Sequence, residues 1–181
     1  MGVRPPGYDT SMKIAIMGTT PHAQAIAHLL AQHGGHEISV SDAFKPERAA
    51  PAAAGLGDDA IAETPYQQAA VSDVLILATR WEDLDQALLA MGTPPDTAVI
   101  VDATKPPHPG PQSGAQIIAH RLDSHRVVEA FTQTPEPGCT ISLCGDDPDA
   151  KAVVEGLIRE MGCTPHDLGG LKHAGEIESL A

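Results

Sequence analysis

The stretch MKIAIMGTTPHAQAIAHLLAQHGG, residues 12–35, reads as a strand, a tight turn and a helix. Residues 13–17 (KIAIM) form a short apolar, β-branched run that ends at Gly18. From Pro21 onward Ile26, Leu29 and Leu30 recur on one helical face with alanines beside them. Pro21 suits the first helical position, where its missing N–H costs nothing, and Gly34 with Gly35 in the HGGH turn at 33–36 stops the helix.

The same alternation continues along the chain. Apolar runs recur at 37–41 (EISVS), 73–78 (DVLILA), 98–103 (AVIVDA), 126–130 (RVVEA) and 140–145 (TISLCG). Helical patterns lie at 81–90, with Leu84, Leu88 and Leu89, and at 147–161, with Val153, Val154, Leu157, Ile158 and Met161. Continuous apolar strands alternating with helices predict a mostly parallel sheet covered on both faces, a Rossmann-type doubly wound α/β fold in one domain. That domain is expected to span residues 12–181, after a loose leader at 1–11. Residues 42–65, rich in Ala, Gly and Pro, predict only a short helix and loops.

Eleven Lys and Arg against 24 Asp and Glu give a formal net charge of −13, which argues against nucleic acid and anionic membrane surfaces as partners. No apolar run reaches the roughly 18 residues of a membrane helix, and residues 1–11 lack the apolar core of a signal peptide, so a cytoplasmic protein is expected. Cys139, Cys144 and Cys163 form no CxxC pair, which fits reduced thiols. The nine histidines are scattered without convergent ligand spacing, so no metal site is read from them.

A strand-to-helix turn can bring backbone N–H groups and a helix N-terminus to a pyrophosphate, with glycines where a Cβ would obstruct the approach. Gly18 takes the place of the first such glycine, Thr20 that of the second and Ala23 that of the third, while His22 sits at the mouth of the loop. A ligand-free turn and a modified phosphate site both fit G-T-T-P-H-A. Asp42, 24 residues after Gly18, ends the second strand near the spacing at which a carboxylate accepts from the adenosine ribose and favours NAD. Lys45 and Arg48 favour the extra phosphate of NADP, and Asp42 read as the residue starting a loop favours neither.

The series DVLILATRWEDLDQAL, VIVDATKP, RVVEAFTQTP, CGDDPDAKAVVEGLIREMG and LGGLKHAGEIESLA, in this order and spacing, resembles the family of NADPH-dependent reductases of the deazaflavin coenzyme F420. D-A-T-x-P at 102–106 and G-D-D-x-x-A-K at 145–151 are its most specific pieces. The resemblance covers residues 12–181 and implies NADP bound after the first strand, with coenzyme F420 or another small redox partner against the nicotinamide. Hydride transfer would be direct, with no catalytic acid or base, in a homodimer formed through the C-terminal helices.

Carried over by position, the resemblance assigns Gly18, Thr19 and Thr20 to the phosphate loop and sets Ser41 and Asp42 where the family grips the NADP phosphate; the residues themselves add Pro21 and His22 to the loop and Lys45 to the adenosine end. It places Ala78, Thr79 and Arg80 beneath the riboses, Thr104 and Lys105 facing the nicotinamide, and Phe131 and Thr132 at the next strand end. Thr20, Arg80, Lys105 and Thr132 depart from the family pattern while the scaffold is intact. That combination leaves two functions open: an NAD(P)-dependent oxidoreductase, or a non-catalytic dinucleotide-binding relative serving as a sensor or complex partner. Lys105 pairs with a substrate anion or extends into solvent, and Trp81 serves the ligand or the core. Asp146 and Asp147 are expected to serve the start of a helix, and Cys144 to be buried and inert.

Overall fold

The computed structural model describes residues 11–33, 35–57, 60–107 and 110–180. Apart from Ser11, the leader expected at 1–11 lies outside the described residues, as does Gly34. Among the described residues there are eight strands: β1 Lys13–Met17, β2 Glu37–Ser41, β3 Ala60–Ala62, β4 Val74–Leu77, β5 Val99–Asp102, β6 Val127–Ala130, β7 Thr140–Gly145 and β8 Thr164–Asp167. The helices are α1 Pro21–His33, α2 Ala49–Ala54, α3 Pro65–Val71, α4 Leu84–Met91, α5 Gly114–Leu122, α6 Pro148–Glu160 and α7 Ala174–Glu178.

All eight strands form one sheet in the order β3-β2-β1-β4-β5-β6-β7-β8. Every neighbouring pair is parallel except β6 with β7, which is antiparallel. The continuous apolar runs follow from this architecture, because successive side chains of a strand point to opposite covered faces. Along β1, Ile14 and Ile16 face α1, α2 and α6, where Ile26, Leu30, Val154 and Leu157 bury them. Ala15 and Met17 face the side covered by α3, α4, α5 and α7, with Leu84, Met91, Ile118 and Ile177.

The weakest sequence segment hides a strand. Residues 42–65 contain a turn of 3-10 helix at Pro46–Arg48, then α2 and the three-residue edge strand β3. Helices α3 and α5 begin with capping boxes: the Thr64 and Ser113 hydroxyls accept from Gln67 N and Gln116 N, and the glutamine side chains reach back. Asp147 caps α6 by accepting from Ala150 N, as its position ahead of the helix predicted, and Asp146 Oδ1 accepts from Leu171 N. His36 serves the scaffold too: it is buried, its Nδ1 accepts from Met12 N, and its Nε2 lies 2.7 Å from Glu160.

This strand order positions the site. The chain winds outward from β1 to β3, then returns to β4 on the other side of β1. The loops after β1 and β4 therefore leave the sheet in opposite directions, opening a crevice at the carboxyl ends of the strands.

Candidate functional site

The crevice is built on Gly18. Its φ of 134° is open to glycine, and a Cβ there would lie 2.5 Å from the Ala78 carbonyl oxygen at the end of β4. Its N–H donates to Ser41 O at 2.8 Å, which binds the turn to the end of β2. The single glycine of the loop is thus demanded by the sheet itself.

Thr20 occupies the cap of α1. Its Oγ1 accepts from Ala23 N at 3.1 Å and donates to Ala78 O at 3.2 Å, while Pro21 begins the helix. One of the amide donors that a bare helix N-terminus offers an anion is therefore already taken by the chain. The neighbouring Thr19 hydroxyl donates to Asp42 Oδ2 at 2.5 Å.

Asp42 organises the loop after β2. Its Oδ1 accepts from Phe44 N at 2.9 Å and Lys45 N at 2.7 Å. With Thr19 on the other oxygen, three of the roughly four acceptor sites of this carboxylate are filled from within the chain. The turn it folds presents Phe44, which is 50% exposed, with Lys45 Nζ 6.0 Å and Arg80 Cζ 5.8 Å from the ring centroid. Asp83 holds the Arg80 guanidinium, with Nη2 at 2.6 Å and Nε at 2.8 Å. Between these groups and the phosphate loop lies a cleft of about 220 Å³, lined in part by Gly18, Thr19, Asp42, Lys45, Arg48 and Arg80. Sequence reasoning passed over Phe44; its signal was a lone aromatic in a segment otherwise poor in large side chains.

Several assigned residues turn inward instead. Ser41 is fully buried and donates to Gln68 Oε1 at 2.6 Å, because the parallel register with β1 points it into the sheet, so it presents no hydroxyl to the cleft. Thr104 is fully buried, with its N–H and hydroxyl both on Asp102 Oδ1 at 2.9 and 2.7 Å; it shapes the loop after β5 and leaves the exposed Lys105 at the surface. Ala78, Phe131 and Thr132 are 1%, 1% and 4% exposed. Phe131 takes a φ of 61°, which turns the chain sharply at the end of β6.

His22 links the two halves of the crevice. It is partly buried, and its Nδ1 lies 3.2 Å from Thr134 Oγ1 on the segment after β6. Burial, and secondarily the charge of Lys105, lowers its pKa, so the imidazole is neutral at pH 7. A smaller cavity of about 110 Å³ lies beyond it, lined by residues including Phe131, Thr132, Thr134, Cys139 and Ile177. Trp81 is partly buried against the α4 and α5 side of the core, and Cys144 is fully buried with its thiol pushed up to about 12 by desolvation.

The model of the family described as NADP oxidoreductase, coenzyme F420-dependent, matches residues 13–106, from β1 through the loop carrying Thr104 and Lys105. The chain belongs to that family. It is also 28% identical to the metalloreductase STEAP3 of Rattus norvegicus over 183 aligned positions, covering 93% of this chain and 36% of the rat protein. This family member therefore spans about a third of the length of that relative.

Among solved structures, a candidate F420-dependent NADP-reductase from Arthrobacter sp. FB24 superposes with a TM-score of 0.77 at 21% identity, covering 94% of this chain and 90% of that one. A reductive aminase from Aspergillus terreus, in complex with NADPH and ethyl-5-oxohexanoate, superposes with a TM-score of 0.69 at 23% identity, over 94% of this chain and 59% of that one. These likenesses establish the fold of NAD(P)-dependent reductases. No described helix is long and apolar enough to cross a membrane.

Proposed function

We propose that this family member binds NADP(H) in the cleft between the Gly18–Thr20 loop and the Asp42–Lys45 turn, and exchanges hydride with a deazaflavin or similar flat acceptor. The observation that carries the reading is the use of Asp42. An aspartate that reads the ribose of NAD keeps its carboxylate available, whereas this one is spent on Thr19, Phe44 and Lys45. The turn it holds brings Lys45 and Arg48 to the cleft wall, where two cations suit a phosphate dianion.

The residues present fit such a group. Gly18 lets the loop close against Ala78 beside the cleft, Lys45 and Arg48 take the ribose phosphate, and Arg80 with Phe44 gives the adenine a flat, polarisable wall. The loops after β5 and β6, shaped by Thr104, Phe131 and Thr132, form the floor at the nicotinamide end and exclude water. Bound nicotinamide supplies or accepts the hydride, which needs alignment more than acid or base work. The neutral, partly buried His22 contributes orientation without adding charge beside Lys105.

One observation favours a second reading, a dinucleotide-binding relative without turnover: Thr20 already caps the amide that a pyrophosphate would use. Both readings are tested by titrating NADPH and NADH and following nicotinamide fluorescence, then adding oxidised coenzyme F420 and watching its visible absorption. NADPH preference with bleaching of the deazaflavin supports the reductase. Tight NADPH binding without bleaching supports the second reading, and binding of neither nucleotide overturns both.

A further inference from the structure

We propose that Asp102, Glu129 and Glu178 form a binding site for one hard divalent cation, which ties the C-terminal helix α7 to the sheet behind the Thr104–Lys105 loop. Asp102 at the end of β5 and Glu129 on β6 are register partners, so their side chains lie side by side on the face covered by α5 and α7. Both residues are fully buried. Glu178 closes the group from the end of α7, and one oxygen from each of the three residues lies within 4.8 Å of the others.

The bonding of these oxygens points to a ligand. Asp102 Oδ1 is spent on Thr104, and Glu178 Oε1 accepts from Gly114 N at 2.5 Å. Neither oxygen of Glu129, nor Asp102 Oδ2, accepts a hydrogen bond from an N–H or hydroxyl donor among the described residues; at these atoms the Asp102 and Glu129 carboxyl groups meet only each other. No described basic side chain pairs with the group. A buried carboxylate without a donor is strongly unfavourable, and adjacent ones repel each other as well.

The surroundings keep room for an occupant. A Cβ on Gly114 would lie 2.9 Å from Asp102 Oδ2 and 3.2 Å from Glu178 Oε1, so glycine at the start of α5 leaves the carboxylates their space. Oxygens no more than 4.8 Å apart can all reach one ion at metal–oxygen contacts of about 2.4 Å, and an all-oxygen donor set selects Ca²⁺, Mn²⁺ or Mg²⁺ over softer metals. Such an ion joins three elements that sequence separates: β5, β6 and the chain end.

The test uses the full chain stripped with a chelator, titrated with Mn²⁺ by calorimetry and electron paramagnetic resonance, and melted with and without Mn²⁺, Ca²⁺ and Mg²⁺. One Mn²⁺ should bind per chain and raise the melting temperature. Glu129→Gln and Glu178→Gln should each weaken that binding by roughly tenfold or more, with the circular dichroism spectrum unchanged. If Glu129→Gln does not fold, Glu178→Gln, at the partly exposed end of α7, carries the test alone. The proposal is overturned if none of the three cations binds at one per chain below about 1 mM, or if the folded variants bind Mn²⁺ as tightly as the parent. It is equally overturned if Glu129→Gln raises the melting temperature with cation and chelator alike, since the carboxyls then share protons among themselves.

Discussion

The hydroxyl of Thr19 donates to Asp42 Oδ2 at 2.5 Å, joining the loop after β1 to the turn after β2. This bond couples the two walls of the cleft. Asp42→Ala should loosen the turn that displays Lys45 and Arg48 and weaken NADPH binding about tenfold, roughly 1.4 kcal/mol. Asp42→Asn keeps an acceptor for Phe44 N and Lys45 N and removes a negative charge beside the phosphate, so its NADPH affinity should match or exceed the parent's. Fluorescence titration checks both variants. Were Asp42 the ribose anchor of an NAD site, NADH binding would suffer most in the asparagine variant.

Thr20 sets stability against affinity. Thr20→Ala should cost about 1 kcal/mol through loss of the α1 cap, whereas Thr20→Gly should cost only a few tenths, because glycine leaves the helix end open to water. Thr20→Gly also frees Ala23 N for a phosphate oxygen and should tighten NADPH binding. Chemical denaturation and nucleotide titration on the same samples separate the two effects. Unchanged affinity in Thr20→Gly would show that this amide plays no part in binding.

Asp147 gives a pH-dependent contribution of known sign. The hydrogen bond from Ala150 N, helped by Arg126 and His125, holds its carboxyl below the usual range. The folded chain thus binds fewer protons there than the unfolded chain, so the stabilisation is complete above the ordinary carboxylate range near pH 4 and is lost as pH falls through the lowered value. Asp147→Asn should be less stable than the parent at pH 7, with the gap closing toward pH 3. Urea melts at both values measure it, and a gap independent of pH would assign the effect to packing.

Cys139 and Cys163 stand opposite each other just before the paired residues Thr140 and Thr164, with their Sγ atoms 3.0 Å apart as free thiols. A diazene thiol oxidant should remove two hydrogens and join them, leaving Cys144 as the thiol that labels after unfolding. Cys163 is buried and desolvation pushes its thiol up to about 11, so the partly exposed Cys139 should react first. Mass spectrometry of labelled peptides reads the outcome; labelling of all three thiols after oxidant treatment would refute it.

Much of the scaffold was legible because its signals are local. The apolar runs of β1, β4 and β5 and the helical face of α6 each declare a period that survives without tertiary context. The edge strands β3 and β8 were not legible: AIA and TPHD are short, half exposed and lack a buried pattern to read. The antiparallel turn of β7 was equally hidden, since an apolar strand looks alike in either direction.

The sequence by itself determined that strands and helices alternate, that a tight glycine turn follows the first strand, and that cations gather after the second. Only the tertiary structure decided where side chains point. Strand register turned Ser41 toward Gln68, and the turn after β5 folded Thr104 back onto Asp102. The fold also set Asp102 beside Glu129 and brought Glu178 over them from the chain end. Periodicity is a property of neighbours along the chain, whereas a hydrogen bond or a convergence of carboxylates depends on residues that only the folded sheet brings together.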